Sequence, residues 1–435
     1  MNSQLSVAFC IITVLATGVF ATQARVESMG KRTAFFLDDA TIFDNPANAT
    51  LYSNALMGEL GIWNSSLGQR EGPLSPWFGA LFRYGLSEDG LRDPQITIGG
   101  FFGREHKEFQ RFVPREIEVA GVAYQVPKNV TNFDAFLAGT MLDGSAIGAH
   151  IYVAVQDGKE DDPGNNPALG KITGNAHVSI LAMDYGVNFL ASGRSSIELS
   201  LGLARIQYGP SRKTFLDPGL FSVYSQGRLF LDVDALSGQL VTGYKMANME
   251  VPGWEEINYG LNAGVNKIIP SGMVWFGLDG VYVKETVSTW DVKISDMGEE
   301  YLFYREPAPK EQYDTDWSDK IGGIFSFGVE RNLFKNWFIL RMGGQKSLIY
   351  QSCKSNSGKS TVCPASNGPG TKGNFWTTNP LSNGTLDDYM GVGIGLNMEN
   401  RLKIDATVAE DALFRNPFQQ GPGHIISRIS AVYKF

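Results

Sequence analysis

The chain ends on His424-Ile425-Ile426-Ser427-Arg428-Ile429-Ser430-Ala431-Val432-Tyr433-Lys434-Phe435. Ile429, Ala431, Tyr433 and Phe435 occupy the odd positions, and Arg428, Ser430, Val432 and Lys434 the even ones. Successive side chains of a strand point to opposite faces, so this is a strand with one apolar and one mainly polar face. An edge strand of a soluble sheet alternates in the same way, but a soluble protein has little reason to finish a strand on a bare Phe.

Composition widens that reading. The chain has 435 residues, with 50 Gly, 27 Phe, 16 Tyr and 8 Trp, and only 19% charged residues. A soluble protein of this length would divide into two or three domains. Beyond the N-terminus no stretch approaches the roughly 20 apolar residues of a membrane helix. Aromatics and glycine without an apolar helix fit a barrel whose strands turn only alternate residues to lipid. A net charge of -8 argues against nucleic acid as a partner.

Residues 1–24 read as a signal peptide: Leu5 to Phe20 is apolar enough for an h-region, and Thr22-Gln23-Ala24 offers small residues for cleavage, with Val19-Phe20-Ala21 as a second option. Its n-region lacks Lys and Arg, and Cys10 has no lipobox around it. Cys353 and Cys363 flank a Ser/Gly/Lys-rich loop and are expected to form a disulfide, worth about 2–3 kcal/mol. No His or Cys cluster indicates a metal, and no cofactor is expected.

From residue 54 onward apolar alternation recurs in 54–64, 75–86, 93–104, 131–142, 145–156, 174–190, 195–208, 222–233, 236–245, 253–267, 271–285, 319–331, 335–350, 385–398, 401–411 and 423–435. Ile197, Leu199, Leu201 and Leu203 oppose Glu198, Ser200, Gly202 and Ala204; Ile257, Tyr259, Leu261, Ala263 and Val265 oppose Asn258, Gly260, Asn262, Gly264 and Asn266. The second face is small and polar, which suits a lumen better than a second hydrophobic layer. Short links such as Asp143-Gly144 and Pro270-Ser271 alternate with long ones at 412–422, 351–384, 286–318, 246–252, 209–221 and 157–173. The expected fold is all-β: a transmembrane antiparallel β-barrel of 14–16 strands over 54–435, with both termini at one end. Residues 105–130 stay open, since 116–126 reads as a further strand, a loop or a lumen insert. Trp63, Trp77, Trp254, Trp275, Trp337, Tyr350 and Tyr433 lie near strand ends, where interface girdles would place them.

Motifs for covalent chemistry fail on context. Ser357-Gly358-Lys359-Ser360-Thr361 imitates the end of a phosphate loop, but Cys353 stands where the first Gly is required. His106, His150, His177 and His424 show no metal spacing, and Asp157, Glu160, Asp161 and Asp162 read as a solvated acidic loop. No nucleophile motif is evident, so the chain is not expected to be an enzyme.

Two stretches carry a family resemblance. The closing strand resembles the C-terminal strand of bacterial outer-membrane barrels, where a terminal aromatic is the assembly signal. Asp38-Asp39-Ala40 followed by Asn45-Pro46-Ala47 resembles the N-terminal segment of the FadL/TodX family of outer-membrane channels for fatty acids and other hydrophobic compounds; PorV-type secretion proteins carry a similar Asn-Pro segment. The resemblance implies a hatch at 25–53 folded into the lumen, built around Asp38, Asp39, Asn45, Pro46 and Ala47. It also implies fourteen strands, and a lateral gate where Gly99-Gly100 would kink the third strand. Tyr301, Phe303, Tyr304 and Trp317 would form a loop that captures ligand. The implied function is uptake of long-chain fatty acids or other hydrophobic small molecules; the rival is a PorV-like barrel that binds exported proteins. Implied partners are outer-membrane lipid, lipopolysaccharide, a hydrophobic ligand, and the barrel-assembly machinery acting on Phe435.

Overall fold

The alternation fixes which side chains point out of the barrel. Exposed Ile197, Leu199, Leu201 and Leu203 interleave with buried Glu198 and Ala204, and exposed Tyr259, Leu261 and Val265 with buried Glu256 and Asn266. The computed structural model describes residues 23–60, 76–85, 95–113, 116–119, 122–125, 131–157, 172–175, 177–190, 195–209, 221–234, 238–251, 254–288, 293–294, 303–304, 315–334, 337–355, 371–377, 388–398, 401–408 and 426–435.

In chain order the strands are β1 (Ala55–Leu60), β2 (Trp77–Gly85), β3 (Gln95–Phe102), β4 (Glu116–Val119), β5 (Val122–Gln125), β6 (Thr131–Thr140), β7 (Ala146–Asp157), β8 (Ile172–Asn175), β9 (His177–Leu190), β10 (Ser196–Gly209), β11 (Ser222–Val233), β12 (Gly238–Val251), β13 (Trp254–Ile269), β14 (Gly272–Ser288), β15 (Lys293–Ile294), β16 (Phe303–Tyr304), β17 (Thr315–Leu333), β18 (Phe338–Ser355), β19 (Thr371–Thr377), β20 (Tyr389–Met398), β21 (Leu402–Val408) and β22 (Ile426–Lys434). Seventeen of them form one sheet, in which all pairings are antiparallel. β19 and β20 lie end to end beside β18, so the seventeen strands fill sixteen lanes. β1 pairs with β22 from Ala55↔Lys434 to Leu60↔Ile429, which closes the barrel and leaves no free edge. All sixteen alternating segments become lanes, and the count is sixteen rather than the fourteen of the resemblance.

β1 starts and β22 finishes at the same end, here the terminal end. There Asn54 adopts φ 57, a left-handed conformation that Asn tolerates. Its carbonyl accepts from Phe435 N at 3.1 Å and its side chain accepts from Arg83 N at 2.9 Å. Phe435 itself points outward, with its ring 5.6 Å from that of Phe82.

The structure corrects several expectations. The link 246–252 is not a loop: β12 runs to Val251, because Met249 and Val251 continue its buried face. Within 105–130 the chain forms a short helix, Lys107–Gln110, and then the hairpin β4–β5, whose second strand pairs in parallel with β8. Trp77 and Trp275 are not girdle residues; both occupy inward positions and are buried, whereas Trp337 is exposed. Residues 1–22, most of the expected signal segment, lie outside the described residues. Ala24 is fully buried and its carbonyl accepts from Thr407 Oγ1 at 2.8 Å, as part of a docked helix, Gln23–Ser28.

Candidate functional site

Residues 23–53 form the helix Gln23–Ser28 and three 3-10 turns at Thr33–Phe35, Asp39–Phe43 and Pro46–Thr50, all against the inward face of the terminal half of the wall. Each short turn uses a local signal. Asp38 accepts from Ala40 N at 3.0 Å and opens the second turn; Asn45 accepts from Ala47 N at 3.1 Å and opens the third, with Pro46 at its first position. Paired inward glycines on neighbouring strands let this segment lie against the wall. Gly148 and Gly186 face one another across β7 and β9. A Cβ on Gly186 would sit 1.9 Å from Asn45 Oδ1, and one on Gly148 would sit 2.4 Å from Pro46 C. Gly264 and Gly277, paired across β13 and β14, flank the ring of Phe35, which stacks 5.1 Å from Trp275. Gly328 and Gly343, paired across β17 and β18, receive Met29.

Buried ion pairs tie the same segment to the wall. Arg25 pairs with Asp38 and, at 2.8 Å, with Glu330; Glu330 meets Arg341 at 2.7 Å and Arg341 meets Asp405 at 2.6 Å. Glu27 pairs with Arg428 at 3.0 Å. Glu198 takes Nε of Arg228 at 3.0 Å and the Asn48 amide at 3.3 Å, while Arg228 Nη1 donates to Thr33 O at 2.8 Å. Burial, reinforced by Asp38, pushes the Asp39 carboxyl well above the usual carboxylate range; burial also raises Asp44, against the pull of Arg228.

A second insert enters from the opposite, far end. Residues 103–113 leave β3 at Gly103 (φ 82) and turn through Lys107–Gln110. Phe109 and Phe112 are buried against inward-facing Tyr152, Ala154, Val178, Ile180, Ala204, Ile206, Met249 and Val251. Phe112 meets Trp254 edge-on at 5.1 Å. Arg111 pairs with Glu256, and Glu108 with Lys245. Lys245 draws Glu108 down to about 2; burial, with Arg104 nearby, lowers His106 to about 4. At mid-height the two inserts touch: Arg104 lies 3.9 Å above the Phe43 ring and binds Asp134. His150 Nε2 is 2.8 Å from Asp134, and its Nδ1 is 2.7 Å from Asp184. Only a doubly protonated ring donates to both carboxylates.

Of the expected site residues, Asp38, Asp39, Asn45, Pro46 and Ala47 come together in the lumen. Gly99 and Gly100 do not kink the strand: β3 keeps register with β2 (Ala80↔Gly100, Leu81↔Gly99) and with β6 (Gly99↔Phe136, Gly100↔Ala135). A Cβ on Gly99 would sit 2.3 Å from Leu81 Cδ2, so that glycine relieves crowding in a continuous ladder. Trp317 belongs to β17, not to a loop, because the strand starts at Thr315 and carries it beside Lys354, whose Nζ is 4.9 Å from its ring. Phe303 and Tyr304 form a two-residue ladder with Lys293–Ile294, and Tyr301 lies outside the described residues. Cys353 is disulfide-bonded; Cys363 lies outside the described residues. The reading of the sequence did not assign residues 103–113 or the apolar wall they cover. The available signal was loss of alternation in Val178-Ser179-Ile180-Leu181-Ala182-Met183, where both faces turn apolar.

No family model matches the chain, and no curated protein matches it. Solved structures of barrels align at low similarity. The TodX monoaromatic hydrocarbon channel deltaS2 mutant has 11% identity and a TM-score of 0.40, covering 95% of this chain and 98% of that one. The ferric-catecholate import receptor Fiu from E. coli K12, open form, has 8% identity and a TM-score of 0.32, covering 88% and 81%. The siderophore receptor PirA from Pseudomonas aeruginosa has 11% identity and a TM-score of 0.26, covering 87% and 78%.

Proposed function

We propose that this barrel is an outer-membrane channel for hydrophobic small molecules, gated in series by the insert 103–113 at its external end and the hatch 25–53 at its periplasmic end. The observation that supports this is the lumen lining. Water-filled barrels turn polar residues inward. Here the far halves of β7, β9, β10 and β12 turn Tyr152, Val178, Ile180, Ile206 and Met249 inward, under Phe109 and Phe112. Such a surface loses free energy when wetted and gains it when an apolar solute replaces the two rings. Passage needs no covalent step. The solute displaces the insert, crosses mid-lumen beside Arg104 and Phe43, and leaves when the hatch unseats. The continuous ladder at Gly99-Gly100 supports a route along the barrel axis.

Uptake of a radiolabelled hydrophobic solute by cells with and without the chain tests the proposal. Deletion should abolish uptake, and Phe109→Ala/Phe112→Ala should change its rate. Uptake that survives deletion while export of surface proteins stops would establish the PorV-like role instead.

A further inference from the structure

The insert's charged residues bear on which solute the chamber takes. Beside the two buried rings, Arg111 pairs with Glu256 and lies 4.4 Å over the face of Phe112. Glu256 is fully buried, and directly opposite it on β14 stands Glu285, equally buried and held by Lys320 at 2.7 Å. Two carboxylates thus face two cations, and one of those cations belongs to the insert. When the insert withdraws, Glu256 loses its partner and is left opposite a second carboxylate, Glu285, with Lys320 as the cation on that side, a like-charge pairing that favours a new cation in the place of Arg111. Of the insert's other charged contacts, Glu108 with Lys245 is nearly half exposed, so its loss matters little, and loss of Arg104 leaves Asp134 still facing His150 Nε2 at 2.8 Å. Even with Arg111 in place, Glu256 Oε2 has no hydrogen-bond partner among the described residues, and neither does Trp254 Nε1 on the same inward face.

The geometry points to the chamber as a binding site for a hydrophobic organic cation, an amine, amidine or guanidine on an aromatic or branched apolar body, with Phe109, Arg111 and Phe112 as its built-in stand-in. This rests on the reading of 103–113 as a displaceable cover and adds the charge of the ligand. A hydrophobic anion meets Glu256 with like charge; a neutral hydrocarbon leaves it unpaired.

Calorimetric titration of the full barrel in non-ionic detergent with 4-phenylbutylamine, 4-phenylbutanol and 4-phenylbutyrate tests this. The amine should bind at least about ten-fold more tightly than the other two. Arg111→Ala removes the internal competitor and should tighten the amine further without tightening the acid. Glu256→Gln should erase the preference. If the acid or the alcohol binds as well as the amine to both wild type and Arg111→Ala, or if Glu256→Gln keeps the preference, the cation assignment is wrong while the apolar-solute reading stands. If none of the three binds even to Phe109→Ala/Phe112→Ala, the solute reading itself fails. Should Glu256→Gln not fold, as judged by heat-dependent mobility in electrophoresis, Arg111→Ala alone decides between the outcomes.

Discussion

The two inserts fill opposite ends of one lumen by different means. The hatch is seated in glycine windows: Asn45-Pro46, the Phe35 ring and the Met29 backbone lie where the wall has no Cβ, and its ion pairs continue into the wall through Glu330, Arg341 and Asp405. The insert is held by side chains, two rings in an apolar chamber and the ion pairs of Arg104, Glu108 and Arg111, that of Glu108 half exposed. A backbone seated in glycine windows has few intermediate positions, because close-packed surfaces separate abruptly. Side-chain anchors can be released one at a time. On the proposed reading the hatch would act as an all-or-none stop, and the insert as a cover that a solute lifts.

Breaking the hatch's charge support should have the largest effect. Arg228→Ala leaves Glu198 buried with only neutral donors, a loss on the order of 3–5 kcal/mol. Protease should then cut within 25–53 while the barrel keeps its heat-dependent mobility; an uncut hatch would mean that the windows alone suffice. Gly186→Ala comes next. Its methyl would overlap Asn45 Oδ1, and overpacking of this kind costs roughly 1–3 kcal/mol. The comparable change at an insert contact, Ala154→Gly, should leave the hatch protected; if the two variants expose the hatch equally, the contrast between backbone and side-chain docking is lost.

Acid should separate the inserts by sign. His106 stays neutral when docked, with its pKa lowered to about 4. Docking is thus undisturbed above about 6.5 and weakens as pH falls from there toward 4. Glu108, drawn down to about 2 by Lys245, adds a loss in the same direction below its ordinary range. Asp39 and Asp44 in the hatch shift upward, so protonation favours their docked state. Hydrogen-exchange protection, taken relative to the intrinsic amide rate at each pH, should therefore fall in 103–113 and not in 38–44 between pH 7 and 5; a parallel fall in both would contradict the assignment.

Much of the wall was legible because period-two alternation is a local property of each strand. Ile197 to Ala204 shows its two faces without reference to any other residue. The Asn45-Pro46 turn was legible for the same reason: side-chain capping and a fixed proline φ act within a few residues. Inward Trp77 and Trp275 were misread as girdle residues, since nearness to a strand end says nothing about which face a side chain takes.

By itself the sequence determined an alternating wall of fourteen to sixteen strands and a turn-rich segment ahead of them. Only the tertiary structure decided that Gly148 and Gly186 form one window beneath Pro46, that Arg111 finds Glu256, and that Gly99-Gly100 stays in register. Each of these joins residues far apart in the chain. Such contacts exist only once the ladder has closed, and complementary shape and charge across a lumen leave no periodic trace along the chain.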